Sequence, residues 1–220
     1  MAIPKNLHQI WIGPDPRPAQ MIDGWTRKHE TWSHFVWNER ALNKDIKWTR
    51  GTRAVYDRYM RDGRYCGAAN VARVLILHQY GGVYIDADMV CRHTIEGAWF
   101  MQHDAWISQS PHDPNRSQNA AMGASGNNIL LSRYINDLDQ LGLTGGEIHP
   151  SWQKTGALLF DQVRIWADGI EPKPDLAIVP SPAFHPHKKN GAVNDRLFNY
   201  EGIIYADHKF YSTHGRKMSV

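Results

Sequence analysis

Apolar residues recur along the chain at two spacings, which predict a succession of helices and strands. The stretch 67–80 (GAANVARVLILHQY) repeats apolar side chains at i, i+3 and i+4 from Val71 onward, the pattern of a helix packed on a core. Gly81 and Gly82 follow, and glycine commonly ends a helix. The apolar run 83–90 (VYIDADMV) then predicts a strand directly after the helix.

The same two patterns predict the other elements. Further helices are expected at 21–31, 52–61, 129–141 and 156–167. Further strands are expected at 7–12, 34–37, 104–109, 177–179 and 203–206. Helices that alternate with strands are typical of an α/β sandwich with a mostly parallel central sheet. Since no Gly/Ser-rich linker interrupts residues 1–220, we expect a single domain.

Composition narrows the class of protein. A hydrophobic fraction of 42% and a charged fraction of 21% are typical of a folded domain. The net charge of +3 includes no long Lys/Arg run, so nucleic-acid binding is not expected. The two cysteines, Cys66 and Cys91, lack CxxC spacing, which argues against a zinc cluster or disulfide framework and favours a reducing compartment. The chain shows neither a signal peptide nor an 18-residue apolar run, so we expect a cytoplasmic protein without a membrane span, from a bacterium or a virus.

Two carboxylates interrupt the apolar run 83–90. Asp86 and Asp88 are two residues apart, so a strand would place both on one face. Two such charges repel in a half-buried setting, unless one is protonated or a cation lies between them. A small set of carboxylate oxygens suits Mg²⁺ or Mn²⁺, which also bind substrate phosphates. A pair of solvated aspartates at a sheet edge is the alternative, and the spacing alone leaves both readings open.

The helix before the aspartates carries a second candidate pair. Asn70 and Arg73 are three residues apart and therefore share a helix face. The arginine fork matches a phosphate or a nucleoside edge, although a surface arginine fits the spacing equally well. The glycine-rich stretch 123–126 (GASG) lacks the lysine of a phosphate loop, so we expect a flexible active-site loop there.

A family resemblance rests on residues 73–88, which read RVLILHQYGGVYIDAD. They resemble the signature of glycosyltransferases with a DXD sugar-binding region, a family of yeast α-1,6-mannosyltransferases and capsular polysaccharide transferases, with clostridial glucosylating toxins as distant relatives. The opening residues 3–13 (IPKNLHQIWIG) are similar to the family's start. Weaker similarities follow in family order at Asn119-Ala120, Lys154-Thr155-Gly156, Phe184-His185-Pro186 and Ala206-Asp207-His208.

The resemblance implies an A-type glycosyltransferase fold, which is a single Rossmann-like domain, and transfer with retention of configuration. It also implies a divalent metal, usually Mn²⁺ with Mg²⁺ as the alternative, between the aspartates and the donor diphosphate. Asp88 is then the main metal ligand, and Asp86 binds a ribose or sugar hydroxyl or reaches the metal through water. His208 is expected to complete the metal site. The donor would be bound by the following residues: Ile10, Trp11, Ile12, Asn70, Arg73, Asp86 and Tyr211.

Two departures from the family pattern keep other hypotheses open. Relatives carry Ser-Asp at Ala69-Asn70, and Ser-Trp at Ser212-Thr213, where Tyr211 or His214 could substitute. The leading hypothesis is transfer of a sugar from a nucleotide sugar, a UDP-sugar before a GDP-sugar, to a glycan or other hydroxyl acceptor. A non-catalytic nucleotide-sugar or carbohydrate-binding module is the second. A metal phosphohydrolase is the third, although His185 and His187 have no acidic neighbours at ligand spacing.

Overall fold

The computed structural model describes residues 2–188 and 190–209 of the chain. Within them lie eight strands: β1 (Asn6–Ile10), β2 (Ser33–Trp37), β3 (Gly82–Ile85), β4 (Met89–Cys91), β5 (Ala105–Gln109), β6 (Ser117–Ala124), β7 (Leu176–Val179) and β8 (Ala206–His208). The helices in the same residues are α1 (Ala19–Lys28), α2 (Glu39–Asp45), α3 (Arg50–Arg61), α4 (Tyr65–Tyr80), α5 (Ile129–Leu143), α6 (Ser151–Lys154) and α7 (Ala157–Ala167). None of these helices is both long enough and apolar enough to cross a bilayer.

The glycine pair after α4 carries the chain from the helix into the sheet. Gly81 ends α4 with a φ of 61°, and Gly82 starts β3 with a φ of 111°, both in the region that favours glycine. A Cβ atom on Gly82 would lie 2.4 Å from the carbonyl oxygen of Asn6. The glycines therefore let β3 lie directly beside β1, and the predicted end of the helix is confirmed.

The six-stranded sheet has the order β2-β1-β3-β6-β5-β7. Its parallel pairs are β1 with β2, β1 with β3, and β5 with β7, whereas β6 runs antiparallel to both β3 and β5. Five of the six strands therefore share one direction, which confirms the mostly parallel sheet. In such a sheet ligands bind beyond the carboxyl ends of the strands, and the beginning of β6 lies at this same edge.

Side chains of the sheet alternate between two apolar cores. Tyr84 belongs to the core that α3, α4, α5 and α7 cover. Val83 and Ile85, its neighbours in β3, belong to the second core, which also contains Trp25 of α1 and residues of β4 and β8. Because adjacent strand residues point to opposite faces, this alternation is what an internal strand covered on both faces requires.

The predicted continuous strand 83–90 is wrong at residues 86–88, whereas residues 89 and 90 do lie in a strand, β4. β3 ends at Ile85, and the Met89 N–H donates to the Asp86 carbonyl at 3.1 Å, closing a turn over residues 86–88. Because residues 86–88 form a turn, the side chains of Asp86 and Asp88 do not follow the alternation between sheet faces that a strand imposes. The chain then enters β4, which pairs antiparallel with β8 in a separate two-stranded sheet.

Two other predictions need correction. The stretch 123–126 is not a flexible loop over its first half, because Gly123 and Ala124 belong to β6. A Cβ on Gly123 would lie 2.3 Å from the indole nitrogen of Trp106, so the glycine lets β6 pack under that ring. The strand predicted at 203–206 begins only at Ala206 and continues to His208.

Candidate functional site

Three of the predicted residues come together at the carboxyl end of β3. Asp86, Asp88 and His208 each offer one ligand atom, and these atoms all lie within 4.8 Å of one another. The His208 Nε2 atom is 3.1 Å from Asp88 Oδ1 and 3.8 Å from Asp86 Oδ2. The turn after β3 supplies both aspartates, and β8 supplies the histidine through its pairing of His208 with Met89.

The two oxygens of Asp86 have different surroundings. Oδ1 accepts a hydrogen bond from the Tyr84 hydroxyl at 2.8 Å and lies 3.2 Å from Arg73 Nη2. Oδ2 is the oxygen closer to His208. The Asp86 side chain is 22% exposed, against 4% for Asp88, so solvent reaches the cluster on the Asp86 side.

Arg73 is engaged with the protein on every side. Its Nη1 donates to the Asn119 carbonyl at 2.5 Å, and its Nε donates to the Ala69 carbonyl at 3.3 Å. The guanidinium also lies 4.4 Å from the centre of the Tyr84 ring. With a side chain only 4% exposed, Arg73 is placed to hold Asp86 in position.

The electrostatics of the cluster favour bound positive charge. Burial raises the pKa of Asp86, and the charge of Asp88 raises it further, against the lowering effect of Arg73. Burial lowers the pKa of His208, yet the two aspartates outweigh burial and raise this pKa above its ordinary value. The carboxylates that keep a proton on His208 would equally attract a metal cation.

Two carboxylate oxygens and an imidazole nitrogen therefore form a donor set that fits a divalent ion. Carboxylates suit Mg²⁺ and Mn²⁺ alike, whereas an imidazole ligand is more typical of the transition metals. The two carboxylates of this set are compatible with both ions expected from the sequence, Mn²⁺ and Mg²⁺.

Asn70 is buried beside the cluster. Its side-chain oxygen accepts from Asn119 Nδ2 at 3.1 Å. A Cβ on Gly156 would lie 3.0 Å from Asn70 Nδ2, so the segment that joins α6 to α7 packs directly on this amide. Asn70 and Arg73 both contact Asn119, which joins α4 to the first residues of β6 at the sheet edge.

The end of β1, where the predicted donor-binding residues Ile10, Trp11 and Ile12 lie, is next to the aspartates. β1 and β3 are parallel, and His8 pairs with Tyr84. Ile10 and Asp86 each come two residues later, so they lie side by side. Ile10 and Ile12 are buried in the core, whereas Trp11 is half-buried and its indole N–H donates to the Asp15 carbonyl at 2.9 Å. Trp11 is therefore the member of this predicted group whose side chain remains accessible.

The remaining predicted donor residue, Tyr211, lies outside the described residues, as do Thr213 and His214.

Tyr84 and His185 adjoin the site, although the sequence did not predict Tyr84 as a site residue and considered His185 only for the phosphohydrolase hypothesis. Tyr84 is two residues before Asp86, and this spacing was an available signal for a shared location. His185 is fully buried, with its ring centre 5.4 Å from that of His208, and burial holds the pKa of His185 well below its ordinary value. His185 is the middle residue of the Phe184-His185-Pro186 similarity, and no spacing rule relates it to His208.

Known sequences resemble part of this chain, and the family match includes both aspartates. Residues 15–113 match the family described as glycosyltransferase sugar-binding region containing DXD motif. Inositol phosphoceramide mannosyltransferase 3 of Schizosaccharomyces pombe is 27% identical over 148 residues, which are 62% of this chain and 37% of that protein. The chain spans less than two fifths of the length of the curated relatives it matches.

Known structures share the fold at low sequence identity. PaToxG glycosyltransferase superposes with a TM-score of 0.63 and 16% identity, over 75% of this chain and 69% of that one. The UDP-bound glycosyltransferase domain from the YGT toxin gives a TM-score of 0.56 and 10% identity, over 94% of this chain and 83% of that one. These similarities confirm the A-type glycosyltransferase fold.

The sequence match, the fold and the position of Asp86 and Asp88 at the sheet edge agree with one another. The part of the chain that carries both aspartates, residues 15–113, is similar to the family of glycosyltransferase sugar-binding regions that contain the DXD motif.

Proposed function

We propose that this chain is a metal-dependent glycosyltransferase that moves a sugar from a nucleotide-sugar donor to a hydroxyl group of a glycan or other acceptor. The convergence of Asp86 and Asp88, which lie in the matched DXD region, with His208 of β8 is the observation that carries the proposal. In this proposal residues 1–220 act as one catalytic domain.

The metal site would be formed by Asp88, by the Oδ2 oxygen of Asp86 and by the Nε2 nitrogen of His208. Mn²⁺ is the proposed ion. Its contribution is to neutralise the negative charge that develops on the departing diphosphate. His208 must lose its proton to act as a ligand, so binding of the ion releases a proton from the site.

The other residues would bind and orient the donor. Arg73 and Tyr84 keep Asp86 Oδ1 occupied, which directs Oδ2 toward the metal or toward a donor hydroxyl. Trp11 would contact the nucleoside from the β1 end, beside the backbone of Ile10 and Ile12. Asn70 would face the donor near the ribose or sugar, with Tyr211 approaching from the C-terminal segment.

A UDP-sugar is the proposed donor, ahead of a GDP-sugar. The UDP-bound state of the YGT toxin domain, which has the same fold, supports this choice. The yeast relative is named as a mannosyltransferase, which supports hexose transfer. Retention of configuration is proposed because the resembling family generally retains it.

Calorimetric titration tests the binding part of this proposal. UDP and GDP are titrated separately with and without Mn²⁺, and we expect UDP to bind more tightly than GDP and only when Mn²⁺ is present. The matched control is the Asp88→Asn variant, in which Mn²⁺ should no longer strengthen UDP binding. Metal-independent binding of UDP would contradict the proposed role of the aspartates.

A non-catalytic nucleotide-sugar-binding module is the second candidate. The Asn70–Asn119 amide pair favours it, because relatives carry a carboxylate at position 70. Slow release of free sugar from a UDP-sugar distinguishes the two, since a transferase hydrolyses its donor when no acceptor is present. A second cluster of the kind a two-metal phosphohydrolase uses is not found among the described residues, and we do not propose that activity.

A further inference from the structure

Asp207 is a buried carboxylate on the strand that carries His208. Adjacent strand residues point to opposite faces, so Asp207 projects away from the metal cluster that His208 faces. The Asp207 side chain is 4% exposed. A carboxylate buried to this degree needs partners that compensate for the loss of water.

Three basic side chains supply this compensation. Lys209 Nζ lies 2.6 Å and Arg92 Nη2 lies 3.3 Å from Asp207 Oδ2, while His187 Nδ1 lies 3.1 Å from Oδ1. Both oxygens of the carboxylate therefore have a basic partner within the protein.

The three partners come from different segments. Arg92 follows β4, Lys209 follows β8, and His187 belongs to the loop after residues 181–183. The contact with Arg92 joins the two strands of the small sheet, and the contact with His187 joins β8 to the neighbouring loop. One side chain thus connects three parts of the chain around the strand that presents His208.

The small sheet needs such a connection. β4 and β8 have three residues each and form a two-stranded sheet, and such ribbons are marginally stable on their own. A slip of one residue would exchange the two faces of β8. It would turn His208 away from Asp88 and bring a third carboxylate, Asp207, toward Asp86 and Asp88.

We propose that Asp207 is a positioning residue that fixes the register of β8, keeps His208 within reach of Asp88 and thereby sets the affinity of the site for its metal. The inference rests on the proposed function, because it assigns Asp207 to the metal site proposed there. The family resemblance assigns no role to Asp207, so the role proposed for it rests on its contacts with Lys209, Arg92 and His187.

Manganese binding in the Asp207→Asn variant tests the inference. Outer partners of metal sites typically contribute 10-fold to 100-fold to metal affinity, and because Asp207 acts through the strand we expect about a 10-fold loss. Pulsed electron paramagnetic resonance of bound Mn²⁺ should show the nitrogen coupling of an imidazole in the wild-type protein. The coupling should be absent in His208→Ala, weakened in Asp207→Asn and restored in Asp207→Glu.

Two further variants serve as a control and as an independent test of the Asp207 contacts. Asp195→Asn is the matched control, because Asp195 also pairs with a lysine, at 2.6 Å, but is 81% exposed, and we expect wild-type affinity and coupling. Arg92→Gln removes one of the three partners at an exposed position, and we expect about a threefold loss of Mn²⁺ affinity even if Asp207→Asn does not fold.

The outcomes separate the inference from the proposed function. Wild-type affinity and nitrogen coupling in both Asp207→Asn and Arg92→Gln would overturn the inference and leave the metal-dependent function intact. Failure of the wild-type protein to bind Mn²⁺ would overturn both.

Discussion

Asp86 and Asp88 are two residues apart, yet different kinds of structure hold them. Asp86 belongs with Arg73 and Tyr84 to a sheet half of the site, in which the partners come from α4 and β3. Asp88 belongs with His208 and Asp207 to a ribbon half, in which the contacting side chains are 120 residues apart in sequence. The sheet half packs in the core that α3, α4, α5 and α7 cover. The ribbon half depends on three residue pairs between β4 and β8.

This difference separates stability from metal binding. The sheet half contains a buried guanidinium whose partners are all in the protein, so damage there leaves an unpaired charge inside the core. The ribbon half carries the Asp88–His208 pair, and damage there changes the geometry of the ligands. We therefore expect changes in the sheet half to appear mainly in unfolding, and changes in the ribbon half mainly in metal affinity.

The largest effect is expected from Arg73→Met, which tests the sheet half. Breaking a buried ion pair typically costs 3–5 kcal/mol, and because Asp86 reaches solvent we expect about 3 kcal/mol off the free energy of unfolding at pH 7. Urea denaturation measures this loss. Arg61→Met, at an exposed position, should change the same quantity by less than about 0.5 kcal/mol. A similar small change in Arg73→Met would show that the sheet half does not depend on the ion pair.

Asp88→Asn tests the ribbon half directly. Even outer partners of metal sites contribute up to about 100-fold, so loss of a ligand should lower Mn²⁺ affinity by more than about 100-fold, or about 2.7 kcal/mol. Calorimetric titration of Mn²⁺ measures the change. Asp57→Asn, which alters an exposed pair with Arg53, is the control and should bind Mn²⁺ normally. Retained Mn²⁺ affinity in Asp88→Asn would remove Asp88 from the proposed ligand set.

Tyr84→Phe returns to the sheet half with a smaller change. The variant keeps the ring under Arg73 but removes the hydroxyl that donates to Asp86. A hydrogen bond to a charged group contributes about 1.5–3 kcal/mol, so we expect about 2 kcal/mol less stability in urea denaturation. If Tyr84→Phe instead lowers Mn²⁺ affinity and leaves unfolding unchanged, the two halves are not separable in the way described.

The smallest expected effect is a pH dependence that has opposite signs for the stability of the metal-free protein and for its Mn²⁺ affinity. The pKa of His208 is raised in the folded protein, so its protonation stabilises the metal-free protein fully below about pH 6.5, and this contribution is lost as pH rises through the raised pKa. Mn²⁺ competes with that proton, so its affinity should increase over the same range, by up to about 10-fold per pH unit.

The comparison with His208→Gln isolates this effect. Buried histidines with lowered pKa values, such as His8 at about 4, change stability in the opposite direction with pH. The quantity to measure is therefore the difference between wild type and His208→Gln in both stability and Mn²⁺ affinity, from pH 6 to pH 8. Wild-type Mn²⁺ affinity that falls as pH rises would contradict His208 as a ligand.

The sequence predicted the sheet half better than the ribbon half, and the reason is physical. Apolar spacing and the glycines identify α4 and its end at Gly81, because a helix is held by contacts within a few turns. The Asp-x-Asp spacing brings both carboxylates to one place. The pattern did not show the turn at residues 86–88, because the alternation of apolar residues with the two aspartates fits one continuous strand.

The local pattern of apolar and polar residues does not predict long-range contacts. β6 was missed because SQNAAMGA contains no β-branched residue, and its pairing with β3 and β5 supplies what propensity does not. His208 entered the predicted site only through the family resemblance, since no spacing rule relates it to Asp88. Asn70 and Arg73 were correctly placed on one face of α4, but their shared contact with Asn119 depends on β6.

The reversed direction of β6 has a consequence for how such a protein can diversify. Because β5 ends and β6 begins at the edge that carries the aspartates, the hairpin of residues 110–116 stands beside the site, closed at its base by Ser110 N–H donating to the Arg116 carbonyl at 2.8 Å. Doubling the length of a surface loop costs only about 0.6 kcal/mol in chain entropy. Insertions there would reshape the entrance and leave every strand of the scaffold in register.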